Sequence, residues 1–532
     1  MRRSETELRA GVERVCRRWR QLALSLPSTL ALDTEQLGPT AAVAEATLER
    51  LLPLLRARTF ADLRLTAGQP QLSPCWHVLL ARSLFPDLCR LELAGAWPRF
   101  TAFLPLCTRL EELSLLLCES GEHELGLRDA ELLASQLCGL PTPPRHLRIA
   151  VSEGPLFFFF GEGDEAEQDV RLPLDTLLRQ VGRHMRDTSL SLSLARWHPP
   201  DASADAPYCT PQLRSLSVNL GPDQDRRRFT AGLRAGLLGG LEELELLDFP
   251  DHNEPATLAG LHTLPRLRRL QARGFLPKEG WLCPHLTVLR CIGVLEDGTD
   301  RNLSTPPAAV LCTGLRRLQY ERCELDHALS PLLCAGLGLL TGLAFVGCQL
   351  NDPEPLPRCF TQLSSLRRLA FDHSRLGPEA FEVLKLAHAA ESLTALSLRD
   401  CGLEVLPLGL GASYLLSLDV SENDFLHALP FAITAGDELK ALALDFHPDM
   451  ATQEGWEDLR SKLTFLRCLK VIHLCSTRRV HPTLMDTAAE AAALAARLRA
   501  ECGCRVVLDD PLSQHPGGLG WEPADGWEPV GL

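Results

Sequence analysis

The pattern Leu-x-x-Leu-x-Leu, in which cysteine or another apolar residue replaces some leucines, recurs along most of the chain and strongly constrains its fold. Clear copies begin at Leu88, Leu110, Leu213, Leu241, Leu267, Leu286, Leu315, Leu340, Leu366, Leu393, Leu415, Leu439 and Leu469, and fainter ones lie at Phe60–Leu65 and around Leu147–Ile149. From Leu213 onward, 19 to 30 residues separate successive first leucines. At 532 residues the chain is too long for one compact core, so this periodicity indicates a stacked repeat array.

The local physics of one copy explains the pattern. In LTALSLRDCGL, Leu396 and Leu398 alternate inward from a short strand, whereas Ser397 and Arg399 point outward. Cys401 follows where the chain turns inward, and a small polar side chain at that point can bond to backbone groups of the turn. A return segment, helical in the copy at residues 378–390, then leads to the next strand.

Stacking such units predicts an α/β leucine-rich-repeat solenoid over residues 60–510. We expect a horseshoe with parallel strands on its concave face and helices and irregular segments on its convex face. A helical bundle is the alternative for so many leucines. It is disfavoured because the leucines lose helical spacing after each strand and glycine or proline repeatedly intervenes.

Two segments depart from the repeat pattern. Residues 151–185 form an insertion that joins Phe157–Phe160 to an acidic run ending at Asp169, either a projecting binding loop or a hairpin folded onto its neighbours. Near the C-terminus, a helix is predicted over Thr487–Glu501, with Gly503 ending it and a strand at Arg505–Leu508. Residues 511–532 are rich in Pro and Gly and contain Trp-Glu-Pro twice, so we expect a disordered tail or a short linear motif.

Composition limits the classes of function. The formal net charge of −14 argues against nucleic-acid binding through a generally basic surface. Nineteen cysteines are scattered without a CxxC pair, and no secretory h-region and no apolar stretch of about 20 residues occurs. Free, mostly buried thiols and a cytoplasmic location are therefore predicted, with nuclear, cytoskeletal or ciliary locations as alternatives.

The N-terminal residues 14–23, RVCRRWRQLA, resemble the second half of an F-box, and the repeat array that follows is typical of the F-box/leucine-rich-repeat family. The resemblance implies that Val15, Cys16, Trp19 and Leu22 contact a Skp1-like adaptor of a cullin–RING ubiquitin ligase, while the repeats select the substrate. The opening Leu-Pro segment and first helix of an F-box have no counterpart here. We therefore assign residues 1–32 to a partial F-box-like segment, or a helical cap, and residues 33–59 to a linker or capping helix.

Motifs of catalysis are missing from the sequence. It has no GxxxxGK[ST], HExxH or GxSxG and no metal-type Cys/His spacing, and the pair Cys502 and Cys504 has no second pair beside it. We expect a protein that is not an enzyme, with no catalytic residues, metal or cofactor.

The outward strand positions instead predict an arginine-rich strip on the concave face, which is the candidate partner-binding site. Its residues are Arg269, Gln271, Arg273, Arg290, Arg317, Gln319, Glu321, Arg368, Asp372 and Arg399, flanked by the acidic Glu243, Glu245, Asp419 and Asp445. Arginine suits bidentate recognition of carboxylate or phosphate. The strip is thus expected to receive an acidic or phosphorylated segment of a partner protein. The alternative is that its arginines pair with Glu321, Asp372 and neighbouring acids.

Taken together, these features predict a non-catalytic substrate-recognition subunit of an SCF-type ubiquitin ligase. The alternative is a structural or assembly scaffold, for instance cytoskeletal or ciliary (axonemal), in which the F-box-like segment is only a cap. An immune-type receptor sensor is less favoured because the sequence shows no nucleotide-binding or transmembrane segment.

Overall fold

A computed structural model of the chain describes residues 28–33, 60–66, 88–94, 104–105, 107–119, 127–153, 176–194, 212–220, 223–236, 238–247, 256–257, 261–273, 275–276, 283, 285–293, 314–323, 337–348, 363–374, 392–403, 414–423, 438–475 and 487–508. The chain divides into two units, Met1–Leu247 (unit 1) and Asp248–Leu532 (unit 2). No helix among the described residues is both long and apolar enough to cross a membrane.

Unit 1 contains a parallel sheet in which each described strand pairs with the next along the chain. Its strands are β1 (Ser28–Asp33), β2 (Phe60–Thr66), β3 (Arg90–Ala94), β4 (Glu112–Glu119), β5 (His146–Glu153), β6 (Ser189–Leu194), β7 (Leu213–Asn219) and β8 (Glu243–Leu247). Its helices are α1 (Leu127–Cys138), α2 (residues 176–184) and α3 (Asp223–Arg234). Each helix lies between two successive strands, as parallel pairing requires a crossover connection.

Unit 2 repeats the arrangement. Its main parallel sheet consists of β10 (Arg269–Arg273), β12 (Val288–Ile292), β13 (Arg317–Glu321), β14 (Gly342–Val346), β15 (Arg368–Asp372), β16 (Ala395–Ser397), β17 (Ser417–Asp419), β18 (Ala441–Asp445), β19 (Val471–Cys475) and β20 (Arg505–Leu508). Two short strands, β9 (Ala256–Thr257) and β11 (Phe275–Leu276), pair with each other. The helices are α4 (Gln453–Leu463) and α5 (Thr487–Cys502), with 3-10 turns at Leu261–Thr263 and Pro448–Ala451.

The strand register places the leucines of the repeat in columns. In unit 2 the fourth residue of each motif copy lies beside its counterpart in the next strand, and no member of the column is more than 4% exposed. The column runs through Leu270, Leu289, Leu318, Leu343, Leu369, Leu396, Leu418, Leu442, Ile472 and Val506. Each unit is thus an α/β leucine-rich-repeat solenoid, which confirms the predicted fold class.

An aromatic stack fills part of the next column in unit 2. The rings of Tyr320 and Phe345 are 5.9 Å apart between centroids, and those of Phe345 and Phe371 are 5.1 Å apart, with interplanar angles of 9° and 12°. Phe345 and Phe371 are fully buried. Stacked rings add to the hydrophobic stabilisation that burial provides.

Small polar side chains tie successive turns of unit 2 together, as the sequence predicted for this position. The Sγ atoms of Cys323 and Cys348 donate to strand carbonyls of the preceding repeats at 3.7 and 3.5 Å, and Ser374 Oγ donates to Phe345 O at 3.1 Å. Asn423 Nδ2 donates to Leu398 O at 2.8 Å. Its Oδ1 accepts hydrogen bonds from two backbone N–H groups, those of residues 401 and 403. Buried backbone groups at the turns therefore find partners in the adjacent repeat.

The C-terminal end of unit 2 has the predicted order of elements. Helix α5 ends at Cys502, Gly503 adopts a left-handed φ of 67°, and β20 follows. The guanidinium of Arg497 lies 4.4 Å from the centroid of the Trp456 ring, which joins α5 to α4. The predicted helix at residues 378–390, the insert Phe157–Phe160 and the tail lie outside the described residues.

Two strands lie where the motif did not predict them. Strand β1 pairs with β2 although its residues fall within the segments assigned to the partial F-box and the linker. Its sequence, STLALD, carries the alternation of a strand but not the full repeat motif. Strand β6, SLSLSL, directly follows the predicted insertion and pairs with β5, so the array resumes there.

The twelve described cysteines are free thiols, and eight of them are buried. Burial raises the pKa of Cys107 to about 11 and that of Cys291 to about 12. These groups stay protonated near neutral pH and pack as small apolar side chains.

Candidate protein-binding surface

All ten residues of the predicted partner-binding strip lie in unit 2, on or directly after strands β10 to β16. The register brings the first outward residues of five strands into one row, which we call the first row: Arg269, Val288, Arg317, Gly342 and Arg368. Neighbouring strands are about 4.8 Å apart, so the three arginines recur about every 10 Å. A Cβ built on Gly342 would lie 3.7 Å from Cγ of Arg317, so glycine leaves space between Arg317 and Arg368.

The first row contains no acidic residue. The pKa of Arg368 is lowered from its ordinary value, first by burial and then by the positive charges of Arg317 and Arg367. Arginine remains protonated despite such a shift. An anionic group placed between Arg317 and Arg368 would therefore relieve repulsion as well as gain hydrogen bonds.

The second and third outward rows, formed by the next outward residues along the same strands, differ from the first row. The positive charge of Arg290 in the second row is compensated by neighbouring side chains. Arg290 Nη1 donates to Gln271 Oε1 at 3.3 Å, and its Nη2 lies 2.5 Å from Glu321 Oε2. Gln319 and Arg273 occupy the same rows and are partly exposed. The alternative drawn from the sequence was that arginines of the strip pair with Glu321 and neighbouring acids. This alternative holds for Arg290.

Asp372 and Arg399, expected on the open face, are both buried, each with 8% of its surface exposed. Ser397 Oγ donates to Asp372 Oδ1, and Arg399 Nη2 donates to Glu422 Oε1. They lie near the ends of short strands, where neighbouring turns cover them. These two residues therefore support the fold internally and do not lie on the exposed candidate surface.

The acidic flank of the strip is also largely internal. Asp419 is 1% exposed and accepts hydrogen bonds from the backbone N–H and the hydroxyl of Ser421 at 3.0 and 2.6 Å. Asp445 accepts from the N–H groups of Glu422 and Asn423 at 2.8 and 3.0 Å. Burial raises the pKa of Asp372 to about 6 and that of Asp445 to about 7. Glu243 and Glu245, the flank on β8, are partly exposed.

A cluster of one histidine and two carboxylates lies at the turns that follow β15, β16 and β17. His373, Asp400 and Glu422 have left-handed φ angles of 52°, 48° and 62°. His373 Nδ1 lies 2.9 Å from Asp400 Oδ2 and 4.0 Å from Glu422 Oε2. A divalent cation could be held by these atoms, but the cluster is already an ion-pair network because Arg399 neutralises Glu422. No sequence pattern indicated this cluster, since each residue comes from a separate repeat.

Unit 1 carries a groove on its own outward strand side, with a volume of about 470 Å³. Its charged side chains come from strands β2 to β5 and nearly balance. Arg90 Nε lies 3.3 Å from Asp62 Oδ1 and 3.9 Å from Glu112 Oε2. The remaining polar lining consists of Glu92, Ser114, His146, Arg148, Ser189 and Ser191. No sequence motif singled out this groove, although the same strand alternation defines it.

The predicted adaptor-binding residues Val15, Cys16, Trp19 and Leu22 lie outside the described residues. Their contact with an adaptor therefore stays a prediction from the sequence.

Comparison with known proteins adds little to this picture. The sequence matches no known family model and no curated protein. Among solved structures it matches a chain in the crystal structure of the Rad7 and Elc1 complex in yeast, with 14% sequence identity and a TM-score of 0.28. That match covers 90% of this chain and 96% of the other. At this TM-score the likeness carries no argument about function.

Proposed function

We propose that this chain is a non-catalytic protein-binding subunit that selects its partner through the outward strand side of unit 2. The observation that carries the proposal is the first row, in which Arg269, Arg317 and Arg368 recur on alternate strands with Gly342 opening the space between two of them. Strands of a solenoid form a rigid, extended platform. Arginines fixed on such a platform suit an acidic or phosphorylated segment of a partner protein.

The proposed biological role is substrate recognition within an SCF-type cullin–RING ubiquitin ligase in the cytoplasm. Support comes from the F-box-like residues 14–23, in which Trp19 and Leu22 would contact a Skp1-like adaptor. The chain itself would perform no chemistry, and it would act by holding the substrate near a transferase.

The adaptor contact is tested by affinity purification of the full chain and of a Trp19→Ala, Leu22→Ala variant from a lysate. We expect Skp1-like and cullin proteins with the unaltered chain and their loss with the variant. A stable set of partners without those proteins in either sample would instead support the structural scaffold and contradict the ligase role.

The substrate surface is tested separately with Arg269→Glu, Arg317→Glu and Arg368→Glu combined. We expect loss of the substrate-type partners while the adaptor is retained, because these side chains are outside the leucine core. A matched control reverses three exposed arginines of unit 1, Arg128, Arg183 and Arg234, and alters the net charge equally. Equal capture by both variants would exclude the first row as the binding surface.

A further inference from the structure

The positive charge of the first row extends to the residues that directly precede it. At β10, β13 and β15, the first-row arginine is preceded by a second one, Arg268, Arg316 or Arg367. The strands between and beside them are directly preceded by Thr287, Thr341 and Thr394. Arginine pairs thus alternate with threonine along the N-terminal ends of the strands.

We call this set of strand ends the basic edge. It comprises, for each strand in the main sheet of unit 2, the residue in register with the first row and the residue before it, which gives twenty positions on ten described strands. Nine of these positions are cationic and none is acidic. The cationic ones are Arg268, Arg269, Arg316, Arg317, Arg367, Arg368, Lys440, Lys470 and Arg505.

Four of the nine cations on the basic edge lack an acidic partner among the described residues. Arg268, Arg316, Arg317 and Arg367 are exposed, and none of them forms an ion pair with an acidic group in the described part of the chain. This differs from Arg290, in the second row of the same sheet, whose guanidinium lies against Glu321. These four guanidinium groups therefore face solvent without a compensating acid among the described residues, whereas that of Arg290 is compensated.

The threonines hold the arginine pairs at fixed spacing. The Oγ1 of Thr287 donates to Arg268 O at 3.0 Å, and that of Thr341 donates to Arg316 O at 3.0 Å. Thr394 repeats the contact with Arg367 O at 3.1 Å. Because parallel strands are about 4.8 Å apart, successive pairs are about 10 Å apart, the length of about three residues of extended chain.

An apolar side chain stands between the second and third arginine pairs. Leu339 is 56% exposed and lies in the turn that leads into β14. A large exposed leucine between cationic pairs favours a polypeptide ligand, which can present acidic and apolar side chains in alternation. A surface that binds single-stranded nucleic acid would instead present aromatic side chains at these positions, on which the bases stack.

We infer that the basic edge docks an extended acidic segment of the partner protein, with carboxylates or phosphates about three residues apart and an apolar side chain between them. This inference rests on the proposed protein-binding function and refines where and what the surface binds. Its distinguishing claim is that Arg268, Arg316 and Arg367, which lie outside the first row, contribute to affinity.

The test is fluorescence anisotropy of the full chain with a labelled peptide in which Glu-Leu-Ser is repeated. A Gln-Leu-Ser peptide, a phosphoserine-Leu-Ser peptide and oligouridylate serve as comparison probes. The variant combines Arg268→Gln, Arg316→Gln and Arg367→Gln, and the matched control combines Arg128→Gln, Arg183→Gln and Arg234→Gln in unit 1. Circular dichroism confirms that both variants stay folded.

We expect the edge variant to weaken binding of the glutamate peptide by about tenfold or more, since each lost charge-assisted hydrogen bond lowers affinity measurably, while the control changes it little. Leu339→Ser should weaken the same peptide but not one in which serine replaces its leucines. Tighter binding of the phosphoserine peptide would identify phosphate as the natural charge, and tighter binding of the glutamate peptide would identify carboxylate.

Equal affinity of the edge variant and the control would overturn the inference, as would stronger binding of oligouridylate than of either acidic peptide. The proposed function is judged separately. If Arg269→Glu, Arg317→Glu and Arg368→Glu together abolish partner capture while the edge variant retains it, the protein-binding function stands and only the basic edge is excluded.

Discussion

The N-terminal strand ends of the two units form the same backbone structure and carry opposite patterns of charge. In unit 1 three arginines, Arg90, Arg145 and Arg214, share these positions with five acids: Asp62, Glu111, Glu112, Glu242 and Glu243. Arg90 and Arg214 lie in ion pairs with such acids, at 3.3 Å from Asp62 and 3.4 Å from Glu242. In unit 2 the basic edge has no acid at all among its described positions.

This difference shows that the repeat constrains only one side of each strand. Inward leucines must fill a column in both units, but outward positions are free to vary without cost to the core. Ion pairs compensate Arg90 and Arg214 at the strand ends of unit 1, whereas the corresponding described positions of unit 2 contain no acid. The units also differ inside, since the column occupied by Ile149 and Leu192 in unit 1 holds the Tyr320, Phe345 and Phe371 stack in unit 2.

The largest effect should come from breaking that stack. Phe345→Ala removes the central ring and leaves a cavity, so we expect the free energy of unfolding to fall by about 3–5 kcal/mol. Urea denaturation followed by circular dichroism measures it. The exposed Phe465 provides a control, and Phe465→Ala should change stability by no more than about 0.5 kcal/mol. Similar losses in both variants would mean that the stack does not stabilise unit 2.

A somewhat smaller loss should follow from Asn423→Ala. The change leaves the buried N–H groups of Cys401 and Leu403 without their acceptor, at a cost of about 3 kcal/mol. Hydrogen exchange at these two amides would report the local opening directly. Ser114→Ala, at a partly exposed outward position of unit 1, is the comparison and should leave stability nearly unchanged.

Two carboxyls of unit 2, the buried Asp372 and the partly buried Asp445, should make its stability depend on pH. The pKa values of Asp372 and Asp445 rise from 3.8 to about 6 and about 7 on folding. The folded state then binds more protons than the unfolded state between pH 4 and 7, so the free energy of unfolding falls as pH rises through this range.

Asp372→Asn combined with Asp445→Asn should remove this part of the pH dependence. Denaturation of both proteins at several pH values gives the difference between them. A wild-type slope that the double variant leaves unchanged would show that these carboxyls are ionised in the folded protein.

The smallest expected effects sharpen the contrast between the strand ends. Arg90→Gln in unit 1 disrupts exposed ion pairs and should lower stability by at most about 1 kcal/mol. Arg316→Gln in unit 2 breaks no ion pair among the described residues and relieves repulsion, so stability should stay level or rise slightly. Differential scanning calorimetry at low salt measures the difference in stability between these two variants. A larger loss of stability for Arg316→Gln than for Arg90→Gln would indicate that the basic edge stabilises the fold.

Much of this fold could be predicted from the sequence because inward leucines encode the strand register directly. The motif located β3, β4, β7 and β8, and most strands of unit 2, and the predicted helix, glycine stop and final strand at Thr487–Leu508 occur as expected. The site could be predicted only in part. Alternation tells which way Asp372 and Arg399 point, but not that neighbouring turns bury them.

The second arginine of each pair was visible in the sequence, as Arg-Arg at 268–269, 316–317 and 367–368. Strand alternation assigns only one arginine of each pair to the outward side, because the other precedes the strand. The His373, Asp400 and Glu422 cluster had no comparable signal, since it depends on three turns lying side by side. The local sequence pattern therefore predicts which residues line up on neighbouring strands, whereas contacts between turns can be identified only from the structure.

The pairing of each strand with the next in chain order also has a mechanical consequence. In unit 2 the backbone hydrogen bonds between strands run along the direction in which repeats are stacked, and each repeat is held mainly by its two neighbours. A tension applied across this stack would load those bonds one interface at a time. The stack should therefore lengthen in small successive steps and unfold first at its weakest interface between repeats.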